Sequence, residues 1–218
     1  MIIGDLFNPR KDDLRMTKRR YVVFEGIDGG GKDSQADLLE EYYQNQGNSV
    51  LRVAEPDDTT PTGKIIRQHL SSGKNMKAHV FLFLADRTIL LENKIAPALE
   101  EGKAVICARS FLSTLVYQHD LWPSYFLWDL HKHIEIWPTD IIVLDLSPAE
   151  SMKRVNKRVR EKEVYEKTQN LEKYRKRYLD LAQKSLGGLL DTTFHVVDAT
   201  GSPEEVHQRV LTALNEGN

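Results

Sequence analysis

Short apolar runs alternate with amphipathic segments along the 218 residues of the chain. The segments between the runs carry apolar residues at helical spacing, as in 32–46, which stops at Gly47. Because buried strands that alternate with helices form parallel sheets, the pattern predicts an α/β fold in which helices flank a five-stranded parallel sheet. The predicted strands are 20–25, 49–54, 103–108, 140–146 and 193–198.

The remaining predicted helices end at small or turn-forming residues. One ends at Leu70, before Ser71-Ser72-Gly73, and Ser202 caps the last. The others cover about 77–100, 110–136 with an interruption near Pro123, two charged helices within 148–186, and 202–214. No repeat or linker divides the chain, so we expect a polar leader at 1–19 and a single domain at 20–218.

Composition and charge exclude several kinds of partner and site. The 30 basic and 32 acidic residues give a formal net charge of −2, so we expect no nucleic-acid partner. The single cysteine, Cys107, excludes an internal disulfide and a zinc site built from cysteines, and it makes the reducing cytoplasm the expected compartment. No apolar run approaches the length of a membrane span, so no membrane partner is expected.

The stretch EGIDGGGKDSQ, residues 25–35, nearly matches a phosphate-binding loop between a strand and a helix. Such a loop wraps backbone N–H groups around phosphate at a helix N-terminus, and its lysine reaches the β- and γ-phosphates. A glycine-rich turn that only caps a helix is the weaker interpretation, because strand, loop, lysine and helix occur in order. We therefore predict nucleotide binding by Gly26, Gly29, Gly30, Gly31 and Lys32.

The eighth position of the loop is Asp33, where a Ser or Thr hydroxyl would normally bind Mg²⁺. One interpretation is that Asp33 points away from the nucleotide, since the helix dipole favours an acidic residue in the first turn. The other is that it points inward. Like charges about 4 Å apart repel by about 1 kcal/mol in water, so Asp33 would then need to bind a bridging Mg²⁺ beside the Ser34 hydroxyl.

Several ordered motifs resemble those of the thymidylate kinase family, nucleoside monophosphate kinases of the P-loop class. They are FEGIDGGGK, LFLADR, ARSFLSTLVYQ, DIIVLDLSPAE, YRKRYLDLA and VVDATGSPEEV, and together they extend from about Tyr21 to the last helix. The resemblance implies a P-loop NTPase fold with a short helical lid at about 154–168. It also implies transfer of the γ-phosphate of ATP to a deoxynucleoside monophosphate, above all dTMP, with Mg²⁺ and in a homodimer.

The resemblance assigns an acceptor site. It comprises Asp28 at the sugar 3′-hydroxyl, Glu55 and Pro56 after the second strand, Phe83 stacked on the base, Arg87 at the thymine carbonyl, Arg109 at the phosphate, Thr114 and Gln118 at the far edge of the base, and Tyr117 near the 2′ position. Without the resemblance, Phe83 and Tyr117 would be interpreted as core packing. Arg87 and Arg109 each directly follow an apolar segment, which favours a functional role, and a solvated arginine is the alternative for either one.

The resemblance also assigns the ATP side. The assigned ATP site includes the phosphate loop with Asp33 and Ser34. The resemblance further implies that Arg154 lies along the adenine, opposite the backbone of Asp198, Ala199 and Thr200. Some family members carry a catalytic arginine in the loop, where this chain has Gly29. The implied catalytic cations are therefore Lys32, Arg109, and Arg158 and Arg160 of the lid.

Three positions depart from the family pattern. Ala54 replaces an arginine, Ala108 an aspartate and Ser110 a tyrosine. Because the loop has gained Asp33 while Ala108 has lost a carboxylate, one hypothesis is that a metal-organising carboxylate has moved between them. Two further alternatives stay open: a shifted acceptor, such as dUMP or another deoxynucleotide, and a nucleotide-binding homologue without turnover.

Overall fold

The computed structural model describes residues 20–72, 76–134, 136–156, 168–183 and 192–216. These residues form a five-stranded sheet with the order β2-β3-β1-β4-β5, and every neighbouring pair is parallel. The predicted α/β fold is confirmed. The strands are β1 (Tyr21–Glu25), β2 (Val50–Ala54), β3 (Ala104–Ala108), β4 (Asp140–Asp145) and β5 (Thr193–Asp198).

The central strand, β1, is buried along its whole length between β3 and β4. Its residues alternate between two apolar clusters: Tyr21 and Val23 pack on one face of the sheet, Val22 and Phe24 on the other. Burial on both faces explains why the strands are almost continuous apolar runs in the sequence. Since the strands are parallel, the loops that follow β1, β3 and β4 meet at one edge of the sheet.

Helices cover both faces of the sheet. Their bounds are α1 (Lys32–Asn45), α2 (Pro61–Ser72), α3 (His79–Leu90), α4 (Ala96–Glu100), α5 (Phe111–Tyr117), α6 (Ser124–His131), α7 (Pro148–Asn156), α8 (Thr168–Gln183) and α9 (Pro203–Glu216). The predicted interruption near Pro123 separates α5 from α6. The predicted cap of the last helix is also present, because the Ser202 hydroxyl accepts from the Glu205 N–H while the Glu205 carboxylate accepts from the Ser202 N–H.

The helix predicted over 77–100 is continuous but not uniform. A 3₁₀ turn (Met76–Ala78) precedes α3, and a π-helical turn (Leu91–Ile95) joins α3 to α4. Pro97 follows that turn in the first residues of α4. Proline lacks the backbone N–H that an α-helical ladder requires, so the wider turn directly before it has a local cause.

Two predicted segments lie wholly or largely outside the described residues: the leader at 1–19, and the lid, of which only 154–156 and 168 are described. No helix in the described ranges is both long and apolar enough to cross a membrane.

Candidate active site

The predicted phosphate loop leaves the end of β1 and enters α1. Gly26 has a φ of +136°, and a Cβ there would lie 2.6 Å from the carbonyl oxygen of Leu144 in β4. Gly31 caps α1 with a φ of 92°. Both φ values favour glycine, and at Gly26 the close approach of Leu144 also leaves no room for a side chain, so the sequence pattern and the observed backbone agree.

Lys32 lies inside this loop and is 6% exposed. Its ammonium donates to the carbonyl oxygens of Gly26 at 2.8 Å and Ile27 at 2.9 Å, and lies 3.8 Å from the Asp28 carboxylate. Burial and the neighbouring Arg109 lower the pKa of Lys32 to about 8. The loop therefore holds a desolvated ammonium whose charge an incoming phosphate would stabilise.

Helix α7 packs directly against the loop at Gly29. The Ser151 hydroxyl donates to the Asp28 carbonyl oxygen at 2.5 Å, and a Cβ on Gly29 would lie 2.7 Å from the Ser151 carbonyl oxygen. Gly29 also has a φ of +80°. The loop has no room for a side chain at this position, so an arginine could not act from here unless α7 moved.

A cleft opens beside the loop and contains every residue predicted for the acceptor. Its walls come from the loop, from the segments after β2 and β3, and from α3 and α5. It is lined by Asp28, Glu55, Pro56, Phe83, Arg87, Arg109, Thr114, Tyr117 and Gln118, together with Arg67, Leu70, Ser110 and Ser113. The structure thus brings together residues separated by up to 90 positions in the chain.

Arg109 forms the wall between this cleft and the phosphate loop. It follows β3 with a φ of 75°, a left-handed conformation that is uncommon for arginine. Its guanidinium pairs with the Asp28 carboxylate and lies 5.8 Å from the centre of the Tyr117 ring. The solvated alternative does not apply, because Arg109 is held between loop and cleft.

Arg87 also lines the cleft and is 1% exposed, so it is not solvated either. Its Nε donates to both Glu55 carboxylate oxygens, at 2.9 and 3.1 Å, and its Nη2 also pairs with Glu55. Its Nη1 lies 3.1 Å from Nδ1 of His131. Sequence reasoning missed His131, which falls in a segment predicted only as helical and carries no motif.

A sequence model of the family described as "Thymidylate kinase" matches residues 24–210 of the chain. The chain belongs to the thymidylate kinase family. It is 35% identical over 209 residues to a probable thymidylate kinase of Thermococcus kodakarensis, a match that covers 89% of this chain and 96% of that protein. It is 34% identical over 203 residues to the thymidylate kinase of Leptospira borgpetersenii serovar Hardjo-bovis, covering 91% and 94%.

The fold agrees with a solved member of the family. The crystal structure of thymidylate kinase from Ehrlichia chaffeensis superposes with a TM-score of 0.69 and is 25% identical. The superposition covers 90% of this chain and 98% of that one. The P-loop NTPase fold implied by the sequence motifs is therefore confirmed.

On the predicted ATP side of the chain, Arg154 joins α7 to the loop after β5. It donates to the carbonyl oxygens of Ala199 at 3.0 Å and Gly201 at 3.3 Å. The Asp198 carboxylate accepts from the Thr200 N–H at 2.9 Å and shapes that loop. The predicted donor-base residues are thus neighbours in space, whereas Arg158 and Arg160 lie outside the described residues.

Asp33 does not join the groups at the mouth of the loop. Its side chain is 72% exposed, and its carboxylate lies 3.3 Å from Nη2 of Arg52 on β2. Arg52 also pairs with Asp37, one turn further along α1, at 3.0 Å. This arrangement matches the interpretation in which Asp33 points away from the nucleotide, and it does not place Asp33 as a metal ligand.

The two alanine departures are neighbours in the sheet. Ala54 and Ala108, the last residues of β2 and β3, are register partners, and Ala108 is buried. Directly paired residues on adjacent strands point to the same face about 5 Å apart. The family's arginine and aspartate at these positions would therefore be adjacent, and this chain lacks both members of an oppositely charged pair.

The third departure, Ser110, is explained by Glu25. This buried carboxylate at the end of β1 accepts from the Ser110 hydroxyl at 3.0 Å and from the Ser110 N–H at 2.7 Å. It also accepts from the hydroxyls of Ser113, at 2.7 Å, and Tyr178. It anchors the start of α5 beside the phosphate loop. A carboxylate ending a buried strand was a signal in the sequence, but Glu25 was not predicted as a site residue.

Proposed function

We propose that the chain binds ATP on the phosphate loop and dTMP in the adjoining cleft, and that the γ-phosphate passes between them beside Arg109. The reaction breaks the bond between the β,γ-bridging oxygen and the γ-phosphorus of ATP. A new bond forms from the dTMP phosphate oxygen, so the products are ADP and dTDP. The acceptor is already a phosphate, so the transfer needs positioning and positive charge more than a strong base.

One observation supports this arrangement above the others: Asp28 connects the two sites. Its carboxylate pairs with Arg109 in the acceptor cleft and lies 3.8 Å from the Lys32 ammonium in the loop. The two cations proposed for the phosphates are therefore held at one point. A γ-phosphate against Lys32 and an acceptor phosphate against Arg109 would meet there.

The proposed roles in the acceptor cleft follow the family resemblance. Phe83 stacks on the base, Arg87 donates to the thymine carbonyl, and Tyr117 leaves no space for a 2′-hydroxyl. Asp28 exchanges its partner Arg109 for the sugar 3′-hydroxyl as Arg109 takes the phosphate. Thr114 and Gln118 contact the far edge of the base, and Glu55 and Pro56 close the cleft beside Arg87.

On the donor side, we propose that the loop glycines and Lys32 hold the phosphates while Arg154 lies along the adenine opposite Asp198, Ala199 and Thr200. Since Gly29 can carry no side chain, the remaining positive charge is assigned to Arg158 and Arg160. Closure of the lid over ATP would bring these arginines to the γ-phosphate and exclude water.

We propose that Mg²⁺ enters with ATP. The described residues contain no group of three or more His, Cys, Asp or Glu side chains that could hold a metal ion. This fits a metal held mainly by phosphate oxygens and water, with the exposed Ser34 hydroxyl as a protein oxygen at the start of α1. Asp33 could act as a ligand only after leaving Arg52. The ion would neutralise charge on the β- and γ-phosphates.

We also propose a cytoplasmic homodimer. Cys107 is free and buried, which fits a reducing compartment. The dimer follows from the family resemblance alone. Sedimentation at two protein concentrations tests it, and a monomer at both would exclude it.

The activity is tested by incubating the protein with Mg-ATP and each of dTMP, dUMP, dCMP, dAMP and dGMP in turn while ADP is followed. We expect the largest kcat/KM for dTMP. A larger kcat/KM for another acceptor would show that dTMP is not the preferred substrate. If no acceptor gave ADP, the proposed kinase activity would be excluded.

A further inference from the structure

Three buried side chains form a connected group beneath the acceptor cleft: Arg87 of α3, Glu55 after β2 and His131 at the end of α6. They are 1%, 5% and 0% exposed. Glu55 holds Nε and Nη2 of Arg87, while Nδ1 of His131 lies 3.1 Å from Nη1. We call this group the Arg87 triad. Two separate elements therefore hold one guanidinium from two sides.

The chemistry of arginine fixes the charge state of His131. Nη1 of Arg87 lies nearer to Nδ1, at 3.1 Å, than to Nε2, at 3.5 Å. A guanidinium can only donate hydrogen bonds, so a ring nitrogen that faces Arg87 must accept, and the ring is neutral. Burial and the charge of Arg87 agree with this, because they lower the pKa of His131 to about 2. His131 therefore stays a neutral acceptor throughout the physiological pH range.

His131 acts from behind the cleft. It is absent from the residues that line the cleft, whereas Arg87 and Glu55 are among them. The Phe111 ring lies 6.2 Å from the imidazole and helps to fix its plane. Any effect of His131 on an acceptor in the cleft must then pass through Arg87.

We propose that Glu55 and His131 are positioning residues that fix the plane of Arg87, so that the guanidinium presents a donor to a base carbonyl and discriminates against a base amino group. This proposal rests on the assignment of the cleft as the acceptor site. Thymine carries a carbonyl where cytosine carries an amino group, and an amino group facing a donor-only side chain finds no acceptor. The expected consequence is a preference for dTMP over dCMP that depends on His131.

The test compares variants of His131 that differ only in where they place an acceptor. His131→Asn puts a carbonyl oxygen at about the position of Nδ1. His131→Gln places its carbonyl oxygen one bond further from the backbone, and His131→Leu has no hydrogen-bond acceptor. His133→Leu is the matched control, since His133 is exposed and two residues away. Dissociation constants for dTMP and dCMP are measured by calorimetry on the full chain, after thermal melting has shown that each variant is folded.

We expect the ratio of the dCMP to the dTMP dissociation constant to fall about tenfold in His131→Leu, as loss of one charge-assisted hydrogen bond predicts. His131→Gln should lose a similar part of the ratio, whereas His131→Asn should stay within about threefold of the wild type and His133→Leu should match it. If His131→Leu does not fold, the comparison of Asn with Gln still decides. Equal ratios in the wild type, His131→Asn and His131→Gln would overturn the proposal.

Turnover of the wild type and of the folded His131 variants is measured in a separate assay, so the kinase proposal and the triad proposal can fail independently. Selective binding of dTMP without ADP formation would refute the kinase proposal and leave the triad in place. Turnover that prefers dTMP equally in all folded His131 variants would refute the triad and leave the kinase in place.

Discussion

The Ser151 hydroxyl donates a hydrogen bond to the backbone carbonyl oxygen of Asp28 and so fastens α7 to the phosphate loop. The contact brings the carbonyl of Ser151 to within 2.7 Å of a Cβ placed on Gly29. Three residues further along, Arg154 contacts the loop after β5. One helix therefore touches both the phosphate loop and the proposed adenine loop.

Substitution of Gly29 tests this packing. Gly29→Ala should lower the free energy of unfolding by about 2–4 kcal/mol, since it combines a positive φ with a clash against α7. It should also raise the KM for ATP, because α7 must move. Gly47→Ala is the matched control, with the same φ of +80° and nothing within 4 Å of the new Cβ. The free energy of unfolding of Gly47→Ala should fall by only about 1 kcal/mol. Equal losses in urea unfolding would contradict the packing argument.

The fold could largely be predicted because its strands are buried on both faces. Apolar runs such as β1 and β4 stand out from their surroundings, and their predicted bounds differ from the observed ones by at most one residue. The order of the strands was not predictable from periodicity, since hydrogen-bonded neighbours such as β1 and β3 are about 80 residues apart. The π-helical turn before Pro97 likewise depends on local geometry that a helical pattern does not reveal.

The motifs indicated residues that the structure brings together. Asp28, Arg87 and Arg109 were assigned by resemblance and do line one cleft. Contacts between distant residues were not predictable: neither His131 behind Arg87 nor Ser151 against Gly29 has a sequence signature. The direction of the Asp33 side chain depends on Arg52, a partner 19 residues away on another element.

The pKa of Lys32 predicts how ATP binding depends on pH. Below about pH 8 the buried amine is protonated and attracts phosphate, and above it the free protein loses that charge. The dissociation constant for ATP should therefore rise between pH 7.5 and 9, by up to about tenfold per pH unit. Lys32→Arg keeps its charge throughout and should show a flatter profile by calorimetry. If the dissociation constants of the wild type and of Lys32→Arg changed in parallel with pH, Lys32 would not titrate in this range.

Because Ala54 and Ala108 are neighbours in the sheet, charged substitutions at the two positions should have coupled effects on the free energy of unfolding. Ala108→Asp alone buries a carboxylate at the end of β3 and should destabilise the fold by about 2–4 kcal/mol. Adding Ala54→Arg on the adjacent strand should recover at least half of that loss by pairing. A denaturant double-mutant cycle measures the coupling. Strictly additive effects would mean that the two departures are independent.

The Arg52 contact predicts how Asp33 affects ATP. Arg52→Met should leave the Asp33 charge uncompensated near the triphosphate and weaken ATP binding about fivefold at low Mg²⁺, in line with repulsion of about 1 kcal/mol. Asp33→Ser, alone or added to Arg52→Met, should bind ATP close to the wild-type level. If Asp33→Ser instead abolished turnover and Ala108→Asp restored it, the hypothesis of a relocated metal-binding carboxylate would hold and the outward role would be wrong.

The central claim is direct transfer between the loop and the cleft, and γ-labelled ATP tests it most directly. Protein, Mg²⁺, labelled ATP and dTMP are incubated, and the label is followed by chromatography beside an Arg109→Met control, which should lose the acceptor phosphate site. We predict that the label appears in dTDP in equal amount to ADP and that the control is strongly reduced. Label released only as inorganic phosphate, or no label in dTDP, would contradict the account.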